Sequence, residues 1–256
     1  TQPFKKNIKK KFFIPKLLVK RRINLDKKKI TKKNFDELFS YFNSDKSKTF
    51  KRLDMSQKTN NYGPFYNKHL AHLKNKKLNI LEIGSYMGSS AAAFLSYFKN
   101  AQLVCMDINH KNFMFKSKRI KLVQLDYTKK KQILNFSKNF KDSFDIIIDD
   151  GGHFKSHILN NLKNFYECLN KTNSYYIIED FGLKFDYLND IKNEPSIFKV
   201  IKFLKNKKIV NSKILNKEFQ NHLIHSINKI DFHQGSWVKF KKNISDICFI
   251  NIKKKQ

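Results

Sequence analysis

Arginine, acidic side chains, cysteine and long apolar runs are all scarce in this 256-residue chain. Arginine stands only at positions 21, 22, 52 and 119, which leaves 49 of the 53 basic residues as lysine. Few guanidinium forks disfavour base-specific nucleic-acid reading. Asp and Glu total 21, so the net charge reaches +32. That imbalance points to an anionic partner: RNA, an acidic glycan or a membrane surface. Cys105, Cys168 and Cys248 lie far apart in apolar contexts. They read as buried free thiols in a reducing compartment and not as a close-spaced zinc site. No run approaches the roughly 18 apolar residues of a membrane span. The N-terminal apolar runs are too short and too broken by lysine for a signal peptide. No internal repeat occurs. What is there, 40% hydrophobic residues, suffices for one large α/β domain.

From residue 79 short apolar runs alternate with amphipathic stretches. Strands are expected at Asn79–Ile83, Leu103–Met106, Ile120–Leu125, Asp145–Ile148 and Tyr175–Ile178. Helices are expected at Ser89–Phe98, Lys129–Phe136, Phe154–Leu169 and Ile197–Leu204. This alternation predicts an α/β fold with a doubly wound, Rossmann-like, mostly parallel sheet. Ile227–Phe232, Ser236–Phe240 and Ile247–Ile252 read as further strands with no helix between them. They would form an antiparallel C-terminal edge whose pairing stays open. Three units follow. Residues 1–33 are a basic N-terminal arm, with 14 Lys or Arg and one acid, Asp26. Residues 34–76 are a helical segment, with a Tyr62-Gly63-Pro64 turn before a helix at Phe65–Leu73. Residues 77–256 are the sheet domain.

The chemistry gathers where the strands end. Asp149-Asp150-Gly151-Gly152-His153 follows the fourth strand, and Ile178-Glu179-Asp180 ends the fifth. One right-handed crossover joins these strands, so they run parallel with their acidic tips at one edge. Open α/β sheets bind ligands at that edge. Hard oxygen ligands there point to Mg²⁺ or Ca²⁺, and His153, at the start of the next helix, to a base. Successive acids on an extended strand face opposite ways, so Glu179 and Asp180 can both ligate only if the chain turns there.

Glu82-Ile83-Gly84-Ser85-Tyr86-Met87-Gly88-Ser89-Ser90 is a strand end, a glycine turn and a helix start. Gly84 and Gly88 let a ligand approach the backbone, and Ser89 and Ser90 are expected to cap the helix. The spacing differs from the dinucleotide fingerprint. Asp107 ends the second strand, where an acid accepts from ribose hydroxyls. Asp126 ends the third, near where an adenine would lie. Glu82 is expected to face the amino end of such a ligand, directly or through water. Trp237 is expected in the core, and His157, His222, His225 and His233 show no ligand spacing.

The run E-x-G-x-x-x-G, followed by an acid at the end of each of the next strands, resembles the class I S-adenosylmethionine-dependent methyltransferases. "DDGGH" and "YYIIED", with "NSDK" before the domain and "INKIDFHQGSWVKFKK" near the end, resemble the metal-dependent macrolide and deoxysugar O-methyltransferases over roughly residues 40–242. The resemblance implies S-adenosylmethionine as cofactor and a divalent metal, Mg²⁺ foremost, held by Asp150, Glu179 and Asp180. It implies His153 as general base and Glu82, Gly84, Ser85, Gly88, Asp107, Asp126 and Asp149 at the cofactor. Asp45 and Lys46 match an N-terminal motif that closes over the site. The chain departs from the family at Leu125, at Asn173-Ser174 and at Phe181–Phe185, the last of which bears on the acceptor pocket.

The expected function is O-methylation of a sugar or glycan-like hydroxyl, in the cytoplasm or alternatively in a mitochondrial or other organellar matrix. A homo-oligomer is compatible with it. The alternative is a methyltransferase-fold protein serving as a structural or RNA-binding component of a ribosomal or organellar assembly, with the basic arm on the polyanion. The intact set of acids and imidazole favours the enzyme.

Overall fold

The computed structural model describes residues 21–48, 59–170, 172–182, 188–238 and 243–253. Its centre is a seven-stranded sheet of β1 (Asn79–Ile83), β2 (Gln102–Asp107), β3 (Ile120–Gln124), β4 (Ile146–Asp149), β5 (Ser174–Glu179), β6 (Ile227–Val238) and β7 (Asn243–Ile252). The order is β3-β2-β1-β4-β5-β7-β6. β1 to β5 are parallel, and β7 runs antiparallel between β5 and β6. The mostly parallel α/β sheet with an antiparallel edge is the expected one, and the open pairing resolves with β7 inside β6.

β1, β2, β4 and β5 are buried over nearly all their length because both faces are covered. Successive side chains alternate: Ile146 and Ile148 join one core cluster, and Ile147 joins the other. α1 (Phe35–Tyr41), α2 (Gly63–Leu70) and α3 (Ser89–Tyr97) cover the first face, and α4 (Lys130–Asn139), α5 (Lys155–Phe165), α6 (Ile197–Lys205) and α7 (Lys217–Ser226) the second. α3 is buried nearly all round, from Ser90 to Tyr97, because α1 packs on its outer side. There Phe35 stacks on Tyr97 at 4.0 Å and meets Phe94 and Phe98 edge-on. The 34–76 segment therefore shares the core of the sheet.

Several expectations change. Ile227–Phe232 and the start of Ser236–Phe240 belong to one strand, β6, which shifts register between Gln234 and Trp237. Such a bulge interrupts the two-residue alternation that marks a single strand. Residues 239 and 240 and the Trp237 side chain lie outside the described residues. α7 is an addition to the expected elements: Asn216 caps it by accepting from Phe219 N at 2.9 Å. α5 stops at Phe165 and continues as a 3-10 turn, Tyr166–Cys168.

Residues 1–20 of the basic arm lie outside the described residues. Residues 23–26 are docked. Ile23–Asn24 pairs in parallel with Phe115–Lys116, and Leu25 is buried. Asp26 accepts from Ser117 Oγ at 2.6 Å and from Lys118 N at 2.8 Å. The three cysteines are free and buried. No helix among the described residues is long and apolar enough to cross a membrane.

Candidate functional site

β1 ends in the glycine turn at the carboxyl edge of the sheet. Gly84 has φ +83°, and a Cβ there would overlap the Asp150 carbonyl and stand 2.8 Å from Gly151 Cα. Glycine alone lets the turn after β1 lie this close to the one after β4. Gly84 N donates to Met106 O at 2.8 Å and Asp150 N to Ile83 O at 3.0 Å, which ties the turn on both sides. Gly88, also left-handed, is the N-cap of α3. Ser89 and Ser90, expected as caps, lie inside the helix, and Ser90 Oγ donates to the Glu82 carboxylate.

A cavity of about 320 Å³ opens beside the turn, lined by Gly84, Asp107, Asp126, Tyr127, Asp150 and Gly151 among others. Asp107 accepts from Tyr86 N at 2.8 Å and Asn109 N at 3.2 Å. Asp126 accepts from Thr128 Oγ1 at 2.6 Å and Thr128 N at 2.9 Å; these bonds hold its carboxyl below the usual range. Tyr127 OH accepts from Gly152 N, joining the loops after β3 and β4.

Four residues expected at the cofactor, Glu82, Ser85, Gly88 and Asp149, do not line this cavity. Glu82 and Ser85 are buried. Burial pushes the Glu82 carboxyl up to about 7, and its Oε2 has no hydrogen-bond partner among the described residues. Asp149 takes Asn161 Nδ2 at 3.1 Å and Tyr176 OH at 3.2 Å, and burial raises its carboxyl to about 7. Alternation along β4 turns Asp149 away from the side that Asp150 faces.

β4 and β5 are parallel neighbours, with Asp149 opposite Ile178. Asp180 takes φ +53° and its N donates to Asp246 O at 2.8 Å. The chain thus turns after Glu179, and the two acids no longer point to opposite faces. Asp150 Oδ1 and Asp180 Oδ2 each stand 4.0 Å from His153 Nε2. One ligand atom from each of these three residues lies within 4.8 Å of the others. Hard oxygens at such spacing suit a small divalent ion. His153 sits in the loop before α5, whose N-cap is Phe154, and not in the helix itself.

Glu179 stands apart from that trio. It is fully buried, and its two oxygens accept from Tyr66 OH and Lys46 Nζ. Lys46 Nζ also meets Asp150 Oδ2 at 2.5 Å, and Tyr62 OH donates to Asp180 Oδ1 at 2.5 Å. Burial pushes the Asp150 and Glu179 carboxyls up, and the Lys46 ammonium opposes it. Burial alone would depress the Lys46 ammonium; the Asp150 and Glu179 charges outweigh it and hold it well above the lysine range. The sequence marked Lys46 only through its motif and passed over Tyr62 and Tyr66. Their four-residue spacing at the start of α2 was the available signal. Of the segment after Asp180, Phe181 is buried, and 183–187 lie outside the described residues.

Residues 81–181 match the model of a family described as a methyltransferase domain. The chain is 26% identical over 126 residues to the mycinamicin VI 2''-O-methyltransferase of Micromonospora griseorubida, and 25% identical over 126 residues to the demethylmacrocin O-methyltransferase of Streptomyces fradiae. Each match takes in 46% of this chain and 31% of the relative. Among solved structures, the MycE methyltransferase from the mycinamycin biosynthetic pathway, in complex with Mg, SAH and mycinamycin VI, is similar at a TM-score of 0.64 and 19% identity. That likeness covers 88% of this chain and 56% of MycE, and it shows a common Rossmann-like fold. The chain spans about a third of the length of the curated relatives it matches.

Proposed function

We propose that this chain, whose residues 81–181 match a methyltransferase domain, is an S-adenosylmethionine-dependent O-methyltransferase acting on a sugar or glycan-like hydroxyl with the help of a divalent ion. One observation carries the reading. Asp150, His153 and Asp180 converge within 4.8 Å at the sheet edge, and Asp150 also lines the 320 Å³ cavity beside them. Two relatives named as O-methyltransferases support methyl transfer to a hydroxyl, and a structural neighbour solved with Mg and SAH supports the pair of groups.

The residues present fit both groups. Gly84 leaves the backbone bare at the turn, and Asp107 offers acceptor oxygens where ribose hydroxyls are held. Asp150 and Asp180 supply hard oxygens for Mg²⁺. Bound there, the cofactor supplies an electrophilic methyl group and the ion acidifies and orients a hydroxyl. His153 Nε2, 4.0 Å from both carboxylates, is the group positioned to take the hydroxyl proton. Asp126 and Tyr127 line the same cavity and help to bound it.

The test begins with titration of S-adenosylhomocysteine and then Mg²⁺. The wild type is expected to bind both, and Asp150→Ala to keep the first and lose the second. Methyl transfer from labelled S-adenosylmethionine to a panel of sugar glycosides should vanish in Asp150→Ala and in chelator. Full activity in chelator would overturn the role of the ion. A wild type with no affinity for either adenosyl ligand would overturn the enzyme and favour a scaffold.

A further inference from the structure

α6 sets charge and exposed apolar side chains side by side on its outer face. Ile197, Val200, Ile201 and Leu204 join the core of the second sheet face, while Phe198, Lys199, Lys202 and Lys205 are exposed. Steps of three and four residues align Phe198, Lys202 and Lys205 along the helix. The chain then stays exposed from Lys205 through Ile209. Phe198 is 50% exposed and Ile209 37%. A cavity of about 430 Å³ on this face is lined by Pro195, Lys199, Phe203, Ile209 and Val210 among others. We propose that this face is a docking surface for an anionic phospholipid bilayer: its lysines meet the headgroup phosphates, and Phe198 and Ile209 enter the apolar layer beneath them. The inference stands apart from methyl transfer.

The charge of the face is directed outward. Residues 190–213 hold seven lysines, no arginine and two acids, Asp190 and Glu194. Both acids are engaged by the protein. Asp190 accepts from Ser156 N at 3.0 Å and from Ser156 Oγ. Buried Glu194 accepts from Ser212 Oγ and from Lys213 N at 2.7 Å. Lys207 turns inward and donates to Ile224 O and Ile227 O, each at 2.7 Å. Lys199, Lys202, Lys205 and Lys208 form no ion pair among the described residues. Lys199 Nζ lies 5.8 Å from the Phe203 ring centre, and Lys205 Nζ 5.5 Å from that of Phe232. Ammonium groups thus ride over apolar surface, the layering that phosphates over acyl chains complement.

That layering favours a bilayer over RNA. Lysine is a compact, hydrated charge suited to phosphate, and each one close to an anionic bilayer adds to binding. Ile209 offers no ring for a base to stack on, and the face has no guanidinium to read one. An aliphatic side chain among lysines gains from hydrocarbon instead. The face borders the candidate site. Phe198 meets Phe232 at 5.3 Å, and Phe232 meets Phe181, the neighbour of Asp180, at 6.2 Å.

The test is co-sedimentation of the full chain with vesicles of phosphatidylglycerol and phosphatidylcholine in equal parts, at about 0.1 M salt. Vesicles of phosphatidylcholine alone are the neutral arm, and a single-stranded RNA oligonucleotide is the rival ligand. The wild type is expected to bind only the anionic vesicles. The triple variant Lys199→Gln, Lys202→Gln, Lys205→Gln is expected to bind them about 100-fold more weakly, about fivefold per lysine. Lys76→Gln, Lys77→Gln, Lys118→Gln removes equal charge from exposed positions before β1 and β3 and is expected to stay within about fivefold of the wild type. Phe198→Ser is expected to weaken vesicle binding about fivefold and to leave RNA binding unchanged. Melting checks each fold, and Ile209→Ser takes the place of a Phe198→Ser protein that does not fold. Equal losses in the two triple variants would mean unspecific attraction to a basic chain and overturn the proposal. So would a folded Phe198→Ser protein that binds vesicles as the wild type does, or a wild type that ignores anionic vesicles. Face variants that lose RNA but keep vesicles also overturn it, and make the partner a nucleic acid.

Discussion

Gly84→Ala probes the seam between the glycine turn and the acid edge. At φ +83° an alanine must adopt the left-handed conformation, which costs about 1–2 kcal/mol. Its methyl group would also press on the Asp150 carbonyl carbon at 2.7 Å and Gly151 Cα at 2.8 Å. These are backbone atoms that cannot swing aside, and overpacking of this kind adds about 1–3 kcal/mol. The two contributions together reach about 2–5 kcal/mol, a fall of roughly 5–20 °C in melting temperature for a chain of this length. Gly152→Ala is the control. Its Cβ would meet His157 Nδ1 and Tyr127 OH, each at 2.9 Å. Both are side-chain ends that can give, so a smaller fall is expected. Melting followed by circular dichroism gives the stability. Titration with S-adenosylhomocysteine should show weaker binding by Gly84→Ala, because the displaced Asp150 backbone forms part of the cavity wall. A Gly84→Ala protein that melts within about 2 °C of the wild type and binds the ligand equally would refute the reasoning.

Two further predictions test the frame around the site. Burial holds the Asp149 carboxyl near 7 in the folded chain, against an ordinary 3.8. The folded state therefore binds this proton more tightly than the unfolded state, and the stabilisation is complete below about pH 4 and lost as pH rises to 7. The loss is on the order of 4 kcal/mol, so Asp149→Asn should flatten the pH dependence of urea unfolding across that window; an unchanged slope would contradict it. The Arg119 guanidinium donates to the carbonyls of Leu95, Phe98 and Ala101 at 3.0–3.3 Å, at and beyond the carboxyl end of α3. Arg119→Ala is expected to cost about 1.5–3 kcal/mol in the same assay, and equal stability would count against that role.

The first five strands were legible because each is a mostly apolar stretch bounded by polar residues. Leu103–Met106 was expected and Gln102–Asp107 is found; Tyr175–Ile178 was expected and Ser174–Glu179 is found. The pattern failed where the ladder itself is irregular. β6 shifts register between Gln234 and Trp237, and its alternation splits there into two apparent strands. α7 buries only Gln220 and Leu223, too narrow a stripe to announce a helix by periodicity. At the site, Asp107, Asp126, Asp150 and Asp180 stood out because each follows or closes a strand. The resemblance placed Asp149 with the cofactor residues; one step along an extended strand reverses the side chain, and here Asp149 meets Asn161 and Tyr176.

By itself the sequence determined the alternation of strand and helix, hence the parallel sheet, and the acids and glycines at its carboxyl edge. Those features depend on neighbours a few residues apart. Only the tertiary structure decided what each acid does there. Lys46 lies 104 residues from Asp150 and 133 from Glu179, and Tyr62 lies 118 from Asp180. Whether a buried carboxylate faces an ammonium, a phenol or an open cleft depends on which distant segment packs over it, and local periodicity carries no record of that partner.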